Sequence, residues 1–266
     1  MASPTTSSAG RLCAVLFLAA VNGLVISLVG QASPQVPPAQ RVPVLIELFT
    51  SEGCSDCPPA DALLAKLDTT QPISGAEAIV LSEHVTYWNH QGWSDPFSLD
   101  AMTERQEQYV RQFSLDSSYT PQMVVDGTEQ FVGSNARALI TAVEKQVKTS
   151  KHSIRIDHAH WDSGAMQFSI HADAPAGTKL VAVLAADSTR SEVARGENAG
   201  RTLQHIAVVR VMKEFNVGVT DGRDLKLAGG PLAQKRESIG PVRLVVMLVD
   251  RKTGHVLGAA QQTLQR

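Results

Sequence analysis

Cys54 and Cys57, in the run G-C-S-D-C-P-P, are the residues whose type and spacing point most directly to chemistry. A pair two residues apart can close as an inert structural disulfide or hold a soft metal. It can also work in disulfide exchange, provided one sulfur is a thiolate and its neighbour resolves the mixed disulfide. At a helix N-terminus, the unsatisfied backbone N–H groups and the positive dipole end would favour the thiolate. Glu52 and Asp56 act in the opposite sense, because like charge raises a thiol pKa. Soft thiolates also select Cu(I), so Cys54, Cys57 and His84 form an alternative, copper-binding set.

The elements around the pair can be read from the pattern. Val44 to Phe49 is a short apolar run of strand formers that leads straight into the C-x-x-C. Pro58 and Pro59 follow, and Ala60 to Leu67 places Leu63, Leu64 and Leu67 on one helical stripe. Pro58 biases Cys57 away from the helical region. Ala78 to Leu81 reads as a second buried strand, and Phe97 to Phe113 as a helix carrying Met102, Tyr109, Val110 and Phe113. Between them runs an aromatic loop with Tyr87, Trp88 and Trp93, which could wall the dithiol; His84 and His90 lie in the same stretch. Thr120-Pro121 opens the strand Met123 to Val125, Asp126-Gly127 supplies a hairpin turn, and Glu129 to Val132 returns. Ser134 or Asn135 can cap a last helix to about Lys148.

From His152 the period changes from helical to alternating. Ile154 and Ile156, Met166 to Ile170, Lys179 to Ala186, His205 to Glu214, Arg243 to Asp250 and Val256 to Leu264 read as strands, which points to a β-sandwich. Arg195, Glu197 and Asn198 stand in a glycine-flanked loop that reads either as a functional surface loop or as an ion-paired connection, with the second preferred.

Composition bounds the rest. A net charge of −2 over 266 residues and a pI near 6.4 leave no basic excess for nucleic acid. Arg11 is the only charge ahead of the apolar stretch Leu12 to Val29, and Gly30-Gln31-Ala32 supplies a small-x-small cleavage site. Residues 1–32 are therefore expected to be a signal peptide and 33–42 a linker, in a periplasmic or secreted protein. No stable membrane insertion is expected unless the signal stays uncleaved. Cys13 would leave with the signal, so Cys54 and Cys57 would have only each other.

The order G-C-S-D-C-P-P after a strand, then T-P-Q-M-V-V-D-G and a final helix, resembles the thioredoxin superfamily. Three stretches, E-L-F-T-S-E-G-C-S-D-C-P-P-A-D, H-V-T-Y-W-N-H-Q-G-W-S-D-P-F and R-G-E-N-A-G-R-T-L, also match the pattern of a bacterial secreted thioredoxin-like family, domain of unknown function 1223. The resemblance implies an α/β thioredoxin-like domain over 43–150, followed by an all-β sandwich-like domain over 152–266. It also implies a cis Thr120–Pro121 bond and roles at the site. Cys54 would be the exposed attacking thiol and Cys57 the resolving one. Pro121 would complete the catalytic set, and Thr120 and Trp88 would meet the partner. The activity implied is thiol-disulfide oxidoreductase-like, on protein thiols or disulfides, with no cofactor. The alternative is a non-catalytic binding protein that holds copper through Cys54, Cys57 and His84.

Overall fold

The computed structural model describes residues 41–216, 221–233 and 240–265. The expected signal and residues 33–40 of the expected linker lie outside them, while Val42, the linker's last expected residue, opens the first strand. Strand β1 (Val42–Thr50) is buried along nearly its whole length, as an apolar run flanked on both sides must be. It lies parallel to β2 (Ala76–His84), with Ile46 opposite Val80 and Thr50 opposite His84. Helix α1 (Pro58–Thr70) forms the crossover and lays Ala60, Leu64 and Leu67 on the sheet. Its two leading prolines cost nothing, because the first turn has no partner for their missing N–H groups. Cys57 precedes them with φ −77° and ψ −39°, in the helical region despite Pro58.

Helix α2 (Asp100–Gln112) begins three residues later than Phe97, which stays in the loop. Strands β3 (Gln122–Val125) and β4 (Glu129–Val132) form the expected hairpin, with β3 antiparallel to β1. Helix α3 (Ala136–Gln146) is capped by Asn135, whose Oδ1 accepts from the Ala138 N–H at 3.1 Å. The Thr120–Pro121 bond is cis. At the end of β4 only glycine fits. A Cβ on Gly133 would stand 2.7 Å from Leu48 Cδ1, 3.0 Å from Pro121 Cβ and 3.1 Å from Ala60 Cβ. The first turn of α1, the end of β4 and Pro121 therefore meet at one point. Gly133→Ala is expected to destabilise the fold by roughly 1–3 kcal/mol through overpacking. Thermal melting checks this, and a wild-type melting temperature would refute it.

The remaining strands are β5 (Ile154–Asp162), β6 (Ala165–Ala172), β7 (Thr178–Glu192), β8 (Thr202–Asn216), β9 (Asp221–Ala228), β10 (Val242–Asp250) and β11 (Val256–Leu264). The pattern left β9 unread, since only Leu225 and Leu227 of its eight residues are buried. These strands do not build a separate sandwich. One mixed eight-stranded sheet runs β11-β10-β7-β8-β2-β1-β3-β4, beside a three-stranded sheet β5-β6-β9. The expectation of an α/β thioredoxin-like domain followed by a sandwich-like domain is thus corrected. The described residues are mostly β, and the three α-helices among them, of 11 to 13 residues, serve a sheet shared by both halves. The physical reason lies in β2. Eight of its nine residues are buried, so it cannot end a sheet, and β8 covers its edge through the parallel bridge Ser82–Val208.

Leu45, Ile79 and Leu81 share one core with Val181, Val183, Val245 and Met247, under Met102 of α2. The opposite face is covered by α1 and α3 on one half and by β6 and β9 on the other. Beneath α2 lies a buried polar group. Arg105 donates to Glu47 at 2.5 Å and to the Tyr109 hydroxyl at 3.2 Å, while Glu83 stands 3.6 Å from the guanidinium. Burial, then the Glu47 charge, push the Glu83 carboxyl well above its ordinary range. Burial also acts on Glu47, but Arg105 outweighs it and holds that carboxyl below the ordinary range. The pair thus carries one charge, matched by one arginine. Among the described residues no helix is long and apolar enough to cross a membrane.

Candidate functional site

Because β1 and β2 are parallel, the loops that leave Thr50 and His84 emerge side by side. The first is the dithiol turn and the second is the aromatic loop. In the turn, Ser51 Oγ accepts from Gly53 N–H, Cys54 N–H donates to Ser51 O, and Cys57 N–H donates to Cys54 O. Cys57 is the N-cap residue of α1, and its carbonyl accepts from Ala60 and Asp61. The two sulfurs are joined in a disulfide, with Cα atoms 5.4 Å apart. Cys54 is 1% exposed and Cys57 0%, while Ser55 and Asp56 between them face solvent. The expectation of an exposed Cys54 is corrected: both cysteines are buried.

The sequence-derived candidates come together. Trp88 Nε1 donates to Thr120 Oγ1 at 2.7 Å, so the residues assigned to meet a partner meet each other. Trp88 also backs the turn, since a Cβ on Gly53 would lie 3.1 Å from Trp88 Cβ. Pro121 is buried beside Ala60, in the first turn of the dithiol helix. His84 turns its Nδ1 to Asp95 Oδ2 at 2.7 Å, and its ring meets Phe97 edge-on. His90 is exposed. Among the described residues no group of three or more His, Cys, Asp or Glu side chains is arranged to hold a metal ion.

Glu52 is the hub that sequence reasoning missed, having weighed it only as a charge beside Cys54. It is 0% exposed. Trp93 Nε1 donates to its Oε2 at 2.8 Å, and Ser191 Oγ donates to its Oε1. His205 Nε2 donates to the same oxygen at 3.2 Å. On its other side, His205 Nδ1 lies 3.7 Å from Asp61 Oδ1, an ion-pair distance. Burial alone would lower the pKa of His205, but Asp61 and Glu52 together push it up to about 10, so the ring is an imidazolium between two carboxylates. Its ring meets that of His84 edge-on at 4.6 Å. Asp95 closes the layer by accepting from the N–H groups of Glu52 and Phe97 at 2.9 and 2.8 Å. Burial would raise this carboxyl, yet His84 and these N–H groups bring it down to about 2.

The loop between β7 and β8 covers the turn. Asn198, 1% exposed, donates from Nδ2 to the carbonyls of Glu52 at 2.9 Å and Cys54 at 3.0 Å. Glu197 Oε2 accepts from Ser55 N–H at 3.0 Å, and Ser55, through its side chain first and this backbone bond second, lowers the Glu197 pKa. The glycine-flanked segment is therefore not a self-contained ion-paired connection. Its glycines, which allow close approach, were the one signal for this.

The geometry defines a mostly β protein that carries one disulfide at a helix N-terminus, walled by aromatic residues and an internal ion cluster. The chain belongs to the family of proteins of unknown function DUF1223, which it matches over residues 45–248. A crystal structure of protein AGR_C_4864 from Agrobacterium tumefaciens is similar in fold. It aligns at a TM-score of 0.60 and 21% identity, over 85% of this chain and 95% of that one. No curated protein matches this chain.

Proposed function

We propose that this chain is an exported thiol-disulfide exchange protein whose working pair is Cys54 and Cys57, acting on protein thiols or disulfides. The observation that carries the reading is the placement of the pair. The disulfide closes at the residue that caps α1, where the helix end favours a thiolate on whichever sulfur is released. Trp88 backs the turn at Gly53 and holds Thr120, and Pro121 packs at Gly133 with Ala60 of the dithiol helix, which supports reading this side of the pair as the face a peptide meets. This local arrangement is also what supports kinship of the site with the thioredoxin superfamily. Export rests on the signal-like residues 1–32.

In the exchange, a partner thiolate attacks Cys54 Sγ and the Cys54–Cys57 bond breaks. Cys57 leaves as a thiolate and takes up a proton. The partner's second thiol then displaces Cys54, so the partner leaves as a disulfide and the pair as a dithiol. The reverse sequence reduces a partner disulfide by the same two electrons.

Cys57→Ser removes the resolving sulfur, so mixed disulfides with partners should accumulate as higher bands that thiols dissolve. Cys54→Ser should give none. Trapping by Cys54→Ser alone would reverse the roles. If neither variant traps, the second reading stands, which the complete burial of both sulfurs favours: a structural staple across the turn.

A further inference from the structure

The loop between β7 and β8, residues 193–201, touches the dithiol turn through few atoms. Residues 194–197 and 199–201 are exposed, while Val193 at its base and Asn198 near its tip are buried. The base of the loop is closed by two backbone bonds, Val193 N–H to Arg201 O at 3.0 Å and Gly200 N–H to Val193 O at 2.8 Å. Arg201 orients Asn198 by donating to its Oδ1 at 2.7 Å. Gly196 lies against the aromatic loop, where a Cβ would stand 3.1 Å from Trp93 Cβ. Toward the dithiol, the loop satisfies three backbone groups: the carbonyls of Glu52 and Cys54 and the Ser55 N–H. An extended partner peptide would offer these same groups an N–H or a carbonyl in their place.

A nucleophile must approach a disulfide sulfur along the S–S axis, and neither sulfur offers that path while 1% or less of its residue is exposed. Something must move before the pair reacts. The dithiol turn itself is held from below by Ser51, Trp88 and the α1 cap, whereas the hydrogen bonds that join the 193–201 loop to it come from two side chains, Glu197 and Asn198. We infer that this hairpin loop is a lid over the disulfide, with Asn198 as its catch and Glu197 as a weaker outer contact. The disulfide reacts only from the lid-open state, and a partner has to displace the lid to enter. The inference builds on the redox reading of the pair, but its test is read on the disulfide alone.

That test is the rate at which dithiothreitol reduces the folded protein, followed by maleimide labelling of Cys54 and Cys57. One reductant thiolate attacks a sulfur and the S–S bond breaks. The reductant then closes its own disulfide, leaving two protein thiols and two electrons transferred. Asn198→Ala removes both carbonyl contacts and should speed reduction about tenfold, the equivalent of one to two ordinary hydrogen bonds. Glu197→Ala should speed it about two- to threefold. Wild-type rates in both variants, with melting temperatures unchanged, would overturn the lid. If Asn198→Ala fails to fold, the exposed Glu197 decides the matter, and an unchanged rate in Glu197→Ala overturns it. Faster reduction without partner trapping keeps the lid and removes the exchange function. Trapping with unchanged reduction does the reverse.

Discussion

His205→Leu is expected to destabilise the fold by roughly 3–5 kcal/mol near pH 7, because it leaves two carboxylates buried without their cation. The residue is held on every side. Glu52 and Asp61 face its two nitrogens, His84 and Phe97 pack against its ring, and Ser191 and Trp93 share the Glu52 carboxylate. Leucine matches the volume, so the loss measures the charge. The pH dependence separates this from a packing defect. The folded pKa of about 10 lies above the ordinary histidine value near 6.5. The wild-type contribution is therefore complete below about pH 6.5 and fades as pH rises toward 10. The gap between variant and wild type should be widest at pH 6 and should narrow steadily to pH 10. Thermal melts at pH 6, 8 and 10 measure it, and a gap that stays constant would refute the imidazolium.

Arg105→Met should have a loss of similar size and opposite pH behaviour. Wild-type Glu47 is ionised under α2 because Arg105 faces it, so its contribution is present above the ordinary carboxylate value and is lost in acid. Without the arginine, burial makes the charged form costly and raises the Glu47 pKa. The variant should then lose roughly 3–5 kcal/mol at pH 8, a fall of about 10 °C in melting temperature, and recover part of it at pH 5. Glu83→Gln is the control. The amide replaces a carboxyl that is already protonated, so it should be neutral or stabilising at pH 8. A strong loss in Glu83→Gln would mean that the carboxyl is charged.

Much of the first half was legible because its signals are local. An apolar run ending in the dithiol, prolines at a helix start, the Asp126-Gly127 turn and the Asn135 cap each act within a few residues, and each element appeared where its signal stood. The partner of the β2 edge is another matter. It meets β8 at a single bridge more than 120 residues away, and strand pairing at that distance leaves no periodic trace. The same holds for the site. Cys54, Cys57, Trp88 and Thr120 could be named from motif and spacing, whereas Glu52 meets His205 across 153 positions. The strand pattern around His205 gave it only a place in β8, with nothing to mark it as an ion-pair partner.

That distance sets an order in time. A chain made at roughly 5–20 residues per second has its dithiol turn roughly 8–30 s before His205 follows, 153 residues later. During that interval Glu52 lacks its cation and the lid does not yet exist. The sulfurs of the nascent chain are thus open to whatever oxidant or thiol surrounds them, and arrival of the last third of the protein closes them in. On the lid reading, the redox state of Cys54 and Cys57 is set before residues 193–205 dock and is sealed when they do.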